Sequence, residues 1–202
     1  MASEFIQPLD SLGPVATQNG SDQDQDNPAK KDYLEGRKLH SDGEYTQAAI
    51  AFHNALRGFE EQGDQAGVAN ASDRLGDACL ARDEYAMAIA NFQRACAICE
   101  KEDDSFSVLA LNKKMAVAYR KLGDQEKALE LLYDTLEHFR LTNNPKGAVE
   151  ALIFIAETYT EQGERLKAAD AYRSVASIHS RFKHTRLAEE FNQRAASLEQ
   201  HE

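Results

Sequence analysis

From about Lys31 onward the apolar residues fall in pairs one helical turn apart, a small residue followed by a large one. Ala48 precedes Phe52, Ala88 precedes Phe92, Ala128 precedes Leu132 and Ala168 precedes Tyr172, so that each pair lies forty residues after the last. Residues four apart share one face of an α-helix, and a small side chain beside a large one lets a second helix come close and then fills the gap. Upstream of each pair a second set keeps the same period. Gly36, Gly76, Ala116 and Ala156 are small, and Leu39, Cys79, Tyr119 and Tyr159 follow each of them three residues later. Between the two sets stand Gly43, Asp83, Gly123 and Gly163, each followed by an acid, namely Glu44, Glu84, Asp124 and Glu164. Turn-tolerant residues suit a break between helices, and an acid beside a helix start meets its free amides and positive dipole end. The pattern predicts antiparallel helix hairpins repeated along the chain.

The links between hairpins keep the period too, with Asp64, Asp104, Asn144 and His184 in equivalent places. The first three are good N-caps, and Pro145 after Asn144 suits a first helical turn, where a missing N–H costs nothing. Four hairpins are predicted, at about 30–63, 65–103, 105–143 and 145–183. Residues 185–200 form a further first helix without its mate, and Glu189, Glu190, Gln193 and Gln200 suit the polar outer face of a terminal cap.

Composition agrees with an all-α class. The chain of 202 residues has no tryptophan and four prolines, and is rich in residues that lose little side-chain freedom in a helix. Its net charge of -11 is uneven, because residues 1–29 carry Glu4, Asp10, Asp22, Asp24 and Asp26 but no lysine or arginine. That stretch is too polar to offset the entropy of ordering it and is expected to be a disordered acidic tail before a repeat domain over 30–202. Phe5, Ile6, Leu9 and Leu12 form a small apolar cluster within it. An acidic protein lacks the dense positive surface that nucleic acid or an anionic membrane requires. The longest apolar run, Ala151–Ala156, is too short to span a bilayer. With no basic and apolar leader, and three cysteines outside any disulfide-dense stretch, the expectation is a cytoplasmic protein with reduced thiols.

These positions resemble the tetratricopeptide repeat family, whose pattern runs Leu-Gly, two residues, Tyr, then Ala, three residues, Phe. The second repeat carries it best, with Leu75, Gly76, Cys79, Tyr85, Ala88, Phe92 and Ala95. The first has Glu35 where the leucine belongs, and the third and fourth have Ala116 and Ala156 at the glycine and Thr135 and Val175 where alanine is usual. The usual repeat is about 34 residues, so the chain is similar to a long-repeat subclass. The resemblance implies a right-handed superhelical solenoid of four repeats plus a capping helix. It also implies partners that are extended peptides or helices lying in a concave groove, and no catalysis.

In the family that groove is lined by the first helix of each hairpin. The corresponding residues include Tyr33, Leu34, Arg37 and His40; Asn70, Asp73, Arg74 and Asp77; Lys113, Lys114, Val117, Arg120 and Lys121; and Glu150, Ile153, Phe154, Glu157 and Glu161. Four cations in the third repeat, with Arg37 and Arg74 upstream, predict a positive middle. An acidic segment would dock there by charge-assisted hydrogen bonds, with Tyr33, Ile153 or Phe154 supplying apolar contact. The competing reading is a solvated helix face. The chaperone-binding members hold a terminal carboxylate with five polar residues; those places here hold Tyr33, Arg37, Arg74, Ala110 and Lys114, of which only Lys114 keeps the expected charge.

Enzyme chemistry finds little footing. Cys96 and Cys99 form a Cys-x-x-Cys, but it falls inside a predicted helix with no second pair to complete a metal site, so packed, inert thiols are expected. The six histidines show no metal spacing, and no phosphate-binding glycine loop or nucleophile elbow is present. No cofactor or metal is expected. The sequence thus points to a non-enzymatic interaction scaffold or adaptor with a protein or peptide partner. The alternative is a self-assembling structural protein or complex subunit, so a homo-oligomer stays open.

Overall fold

The computed structural model describes residues 27–200. The expected disordered tail and its apolar cluster at Phe5 to Leu12 lie outside the described residues, apart from residues 27–29. Nine helices follow one another with no strand among the described residues: α1 (Pro28–Ser41), α2 (Tyr45–Gln62), α3 (Gln65–Ala81), α4 (Tyr85–Lys101), α5 (Ser105–Leu122), α6 (Gln125–Leu141), α7 (Pro145–Glu161), α8 (Arg165–Arg181) and α9 (Thr185–Glu199). No helix among the described residues is long and apolar enough to cross a membrane.

One link geometry repeats throughout. The residue closing each link donates its N–H to a carbonyl five residues back, as Glu44 does to Leu39, Asp64 to Phe59, Glu84 to Cys79 and His184 to His179, each at 2.9 or 3.0 Å. The residue before it takes a left-handed conformation, at positions 43, 63, 83, 103, 123, 143, 163 and 183, twenty apart. This six-to-one closure satisfies the last carbonyls of each helix and turns the chain back. Four of the eight positions are not glycine: Asp83, Asp103, Asn143 and Lys183.

Side-chain caps start the first helices of the hairpins. The side-chain oxygens of Asp64, Asp104 and Asn144 accept from the backbone N–H of Gly67, Ser107 and Gly147 at 2.9, 3.1 and 3.0 Å. Among the acids expected to start the second helices, Asp124 caps the N–H of Lys127 at 3.2 Å. Glu44, Glu84 and Glu164 make no side-chain cap. Their carboxylates sit on a longer stem than the short side chains that cap best. Glu84 instead pairs with Arg82 at 2.8 Å and Glu164 with Lys167 at 3.4 Å.

The helices form two compact units, one through Val108 and one from Leu109. In the first, α1 packs on α2, α2 on α3 and α3 on α4. Ala48, Phe52, Ala88 and Phe92 are fully buried. A methyl group on Gly36 or Gly76 would stand 2.7 or 2.5 Å from the ring of Phe52 or Phe92, so the aromatic residue lies directly against the opposite backbone. In the second unit, α6 packs on α7, α7 on α8 and α8 on α9. One core joins Ala116 of α5 to Leu132 of α6 and Ala156 of α7, with Tyr172 of α8 against it. The paired positions have traded size: where Phe faces glycine in the first two hairpins, Leu132 or Tyr172 accompanies alanine in the next two. Lys127 over Tyr119 and Lys167 over Tyr159, at 5.4 and 5.5 Å, add equivalent cation–aromatic contacts. Phe191 closes the end of this unit, stacked on Tyr172 at 6.0 Å and on His179 at 5.7 Å.

Candidate functional site

Within the first unit, α1 and α3 bring Tyr33 and Arg74 together. Tyr33 is half-buried and its ring leans on Phe52 and Phe59, with centroids 5.8 and 6.4 Å apart. Arg74 pairs with Asp77 at 3.3 Å, and its Nε is buried. Burial works against its charge, but Asp73, a hydrogen bond with Tyr33 and Asp77 outweigh it and raise its pKa. Arg37 and Leu34 are exposed on α1. The first-helix face here is therefore mixed in character. It offers an aromatic residue engaged in packing, a held guanidinium and its acids.

Within the second unit, the facing helices are α5 and α7, and the cations of one meet the acids of the other. Lys113 Nζ lies 3.1 Å from Glu150 Oε2. About two turns further on, Arg120 donates through Nη1 to Glu157 at 3.2 Å, and through Nη2 and Nε to the two oxygens of Glu161 at 2.6 and 3.1 Å. The Arg120 side chain is only 12% exposed. Burial opposes its charge, yet the hydrogen bonds with Glu161 and Glu157 raise its pKa. The same bond from Arg120 lowers that of Glu161. Between these ion pairs Val117, Ile153 and Phe154 are half-buried. Ile153 packs toward Val175 and Phe191, and Phe154 toward the α5–α7 core. Lys121 is exposed beside Glu161, and Lys114 is half-buried and engaged.

The positive middle expected from the sequence is thus largely matched within the unit: Lys113 and Arg120 face three glutamates of the next first helix. Sequence position alone places these acids along the groove and does not pair them with the cations of α5. The signal was present as opposite charges 37 residues apart, at Lys113 and Glu150 and at Arg120 and Glu157.

Chemistry elsewhere is quiet. Cys79, Cys96 and Cys99 are free and buried. Burial, reinforced by Glu100, pushes the Cys96 thiol up to about 12, and burial also raises Cys79 and Cys99. A thiol so shifted stays protonated near neutrality and is a poor nucleophile or metal ligand. Among the described residues no group of three or more His, Cys, Asp or Glu is placed to hold a metal ion.

The repeat geometry is matched by a family model. The tetratricopeptide repeat model covers residues 33–101 and 107–180. The chain belongs to the tetratricopeptide repeat family. Solved structures of similar fold include the nearly identical TPR-like repeats of a candidate kinesin light chain from Podosopora anserina. That structure shares 16% identity at a TM-score of 0.72, with 86% of this chain and 89% of that one covered. RapI in its apo form gives 18% identity and a TM-score of 0.74, covering 86% of this tetratricopeptide repeat chain, which spans about half (49%) of RapI. BtubC (BKLC) from P. vanneervenii gives 12% and 0.58, with 84% and 79% covered. No curated protein matches by sequence. The tetratricopeptide fold, an all-α solenoid of helix hairpins, generally serves as a scaffold for protein–protein interaction and is typically non-enzymatic.

Proposed function

We propose that this protein is a non-enzymatic adaptor that binds an extended or helical peptide segment on the first-helix face, with α5 and α7 as the anchoring pair. The observation that carries the reading is the charged border they form. Lys113 and Glu150 stand at one end, Arg120 with Glu157 and Glu161 at the other, and Val117, Ile153 and Phe154 lie between. Such a surface offers apolar contact bounded by donors and acceptors of both signs, which sets the register of a bound segment more than its raw affinity. An acidic side chain of the ligand docks by taking the place of a glutamate against Lys113 or Arg120, with Lys121 as a further cation.

The test is affinity capture from the source cells by the full chain and by a charge-swapped form, Lys113→Glu with Glu150→Lys and Arg120→Glu with Glu157→Lys and Glu161→Lys. Swapping both partners keeps the pairs and the fold while inverting the pattern a ligand meets. A partner held by the natural chain and lost by the folded swap supports this face. Retention of the same partner by both removes it from consideration.

A further inference from the structure

The second helices α6 and α8 leave an open cleft of about 460 Å³ where the link into α7 passes between their ends. Phe139, Leu152 and Ile178 give it an apolar floor beside the polar Asn143, Asn144 and Ser177, and Phe182 stands at its edge with 49% of its surface exposed. Arg140 and Arg181 line it, as does Ser174.

The first unit explains what is missing. The residues equivalent by two periods to Arg140 and Ser174 are Glu60 on α2 and Arg94 on α4, and these form an ion pair across the corresponding gap. Here Arg140 and the short Ser174 stand at those places, so the two side chains make no such bridge and a cation occupies the position where the first unit has a carboxylate. Arg140 reaches Glu137 on its own helix only at 4.0 Å, with 70% of its side chain exposed. Cations in the last turn of a helix offset its negative end, but that role needs neither an apolar floor nor the loss of the bridging acid. The combination fits a ligand that brings the acid itself.

We infer that the α6–α8 cleft is a docking site for a partner segment that presents a carboxylate to Arg140 and Arg181 and sets an adjacent large apolar side chain on Phe139, Ile178 and Phe182. The surface is distinct from the first-helix face and shares none of its residues. Recognition rests on charge complementarity at the two guanidinium groups and on burial of one anchor residue.

Two fluorescein-labelled probes test it by anisotropy on the full chain: the acetylated peptide Asp-Phe-Leu-Asp-Phe and its basic twin Lys-Phe-Leu-Lys-Phe. The acidic probe is expected to bind about ten-fold tighter than the twin. Arg140→Glu with Ser174→Arg rebuilds the bridge seen between α2 and α4, and should weaken the acidic probe about ten-fold without lowering the melting temperature. Arg181→Glu, an exposed single change, should weaken it in the same direction. Equal binding of the two probes, or undiminished binding to the bridge-rebuilt and Arg181→Glu forms, overturns the inference. So does a loss of binding confined to the Lys113→Glu, Glu150→Lys swap, which would place the peptide on α5 and α7.

Discussion

At position 76 a side chain of even one carbon would meet the Phe92 ring at 2.5 Å, and Phe92 has no exposed surface through which to retreat. Alanine is the better helix former by about 1 kcal/mol, but overpacking a closed core costs about 1–3 kcal/mol and prevails here. Gly76→Ala should therefore lower stability, read as a fall in the denaturant midpoint at unchanged slope. The equivalent positions show why the family pattern loosens along the chain: Ala116 and Ala156 are fully buried beside Leu132 and Tyr172 rather than phenylalanine. The sequence departs from the pattern at the first helix and at the second together. That exchange of volume was legible as small-then-large spacing. The direct contact of glycine with the ring face was not, since it depends on how closely two helices approach.

Between elements, the ion pairs from α5 to α7 give the fold a pH dependence with a definite sign. Arg120 bonds Glu161 and holds its carboxyl below the usual range, against the effect of partial burial. A carboxylate whose folded pKa is depressed contributes stability above its unfolded value, ordinarily about 4.3, and loses it as pH falls through the folded value. Glu161→Gln should melt slightly lower than the natural protein at neutral pH, and the two curves should converge on acidification below about pH 4. The effect is small because the Glu161 side chain is 47% exposed. Helix order and breaks were readable because each link repeats one chemistry. The cross-helix pairs were not, because they depend on which residues of successive first helices face each other. Capping by Asp64, Asp104 and Asn144 follows from their short side chains, and the failure of Glu44, Glu84 and Glu164 to cap shows that an acid in the right place is insufficient when its stem is long.

At the scale of the whole chain, α1 to α4 in one unit and α6 to α9 in the other each pack chiefly on their neighbours in sequence, so a local loss should stay local, as in other stacked-repeat proteins. Phe191→Ala removes the ring that stacks on Tyr172 and His179, and should cost about 3 kcal/mol where α9 meets α8. Hydrogen exchange should accelerate in α8 and α9 while the amides of α2 to α4 keep their protection; acceleration throughout would mean that the chain opens as one cooperative body. The left-handed residues, twenty apart from Gly43 to Lys183, were half legible, through Gly43, Asp83, Gly123 and Gly163. Asp103, Asn143 and Lys183 gave no glycine to mark the intervening links. Their even spacing bears on how such a gene can change. Duplication or loss of a forty-codon stretch between equivalent links would leave every helix full length and every reversed backbone residue in its place. The chain is written in interchangeable cassettes, and recombination could alter their number while sparing each surviving turn the need to adapt to a new conformation.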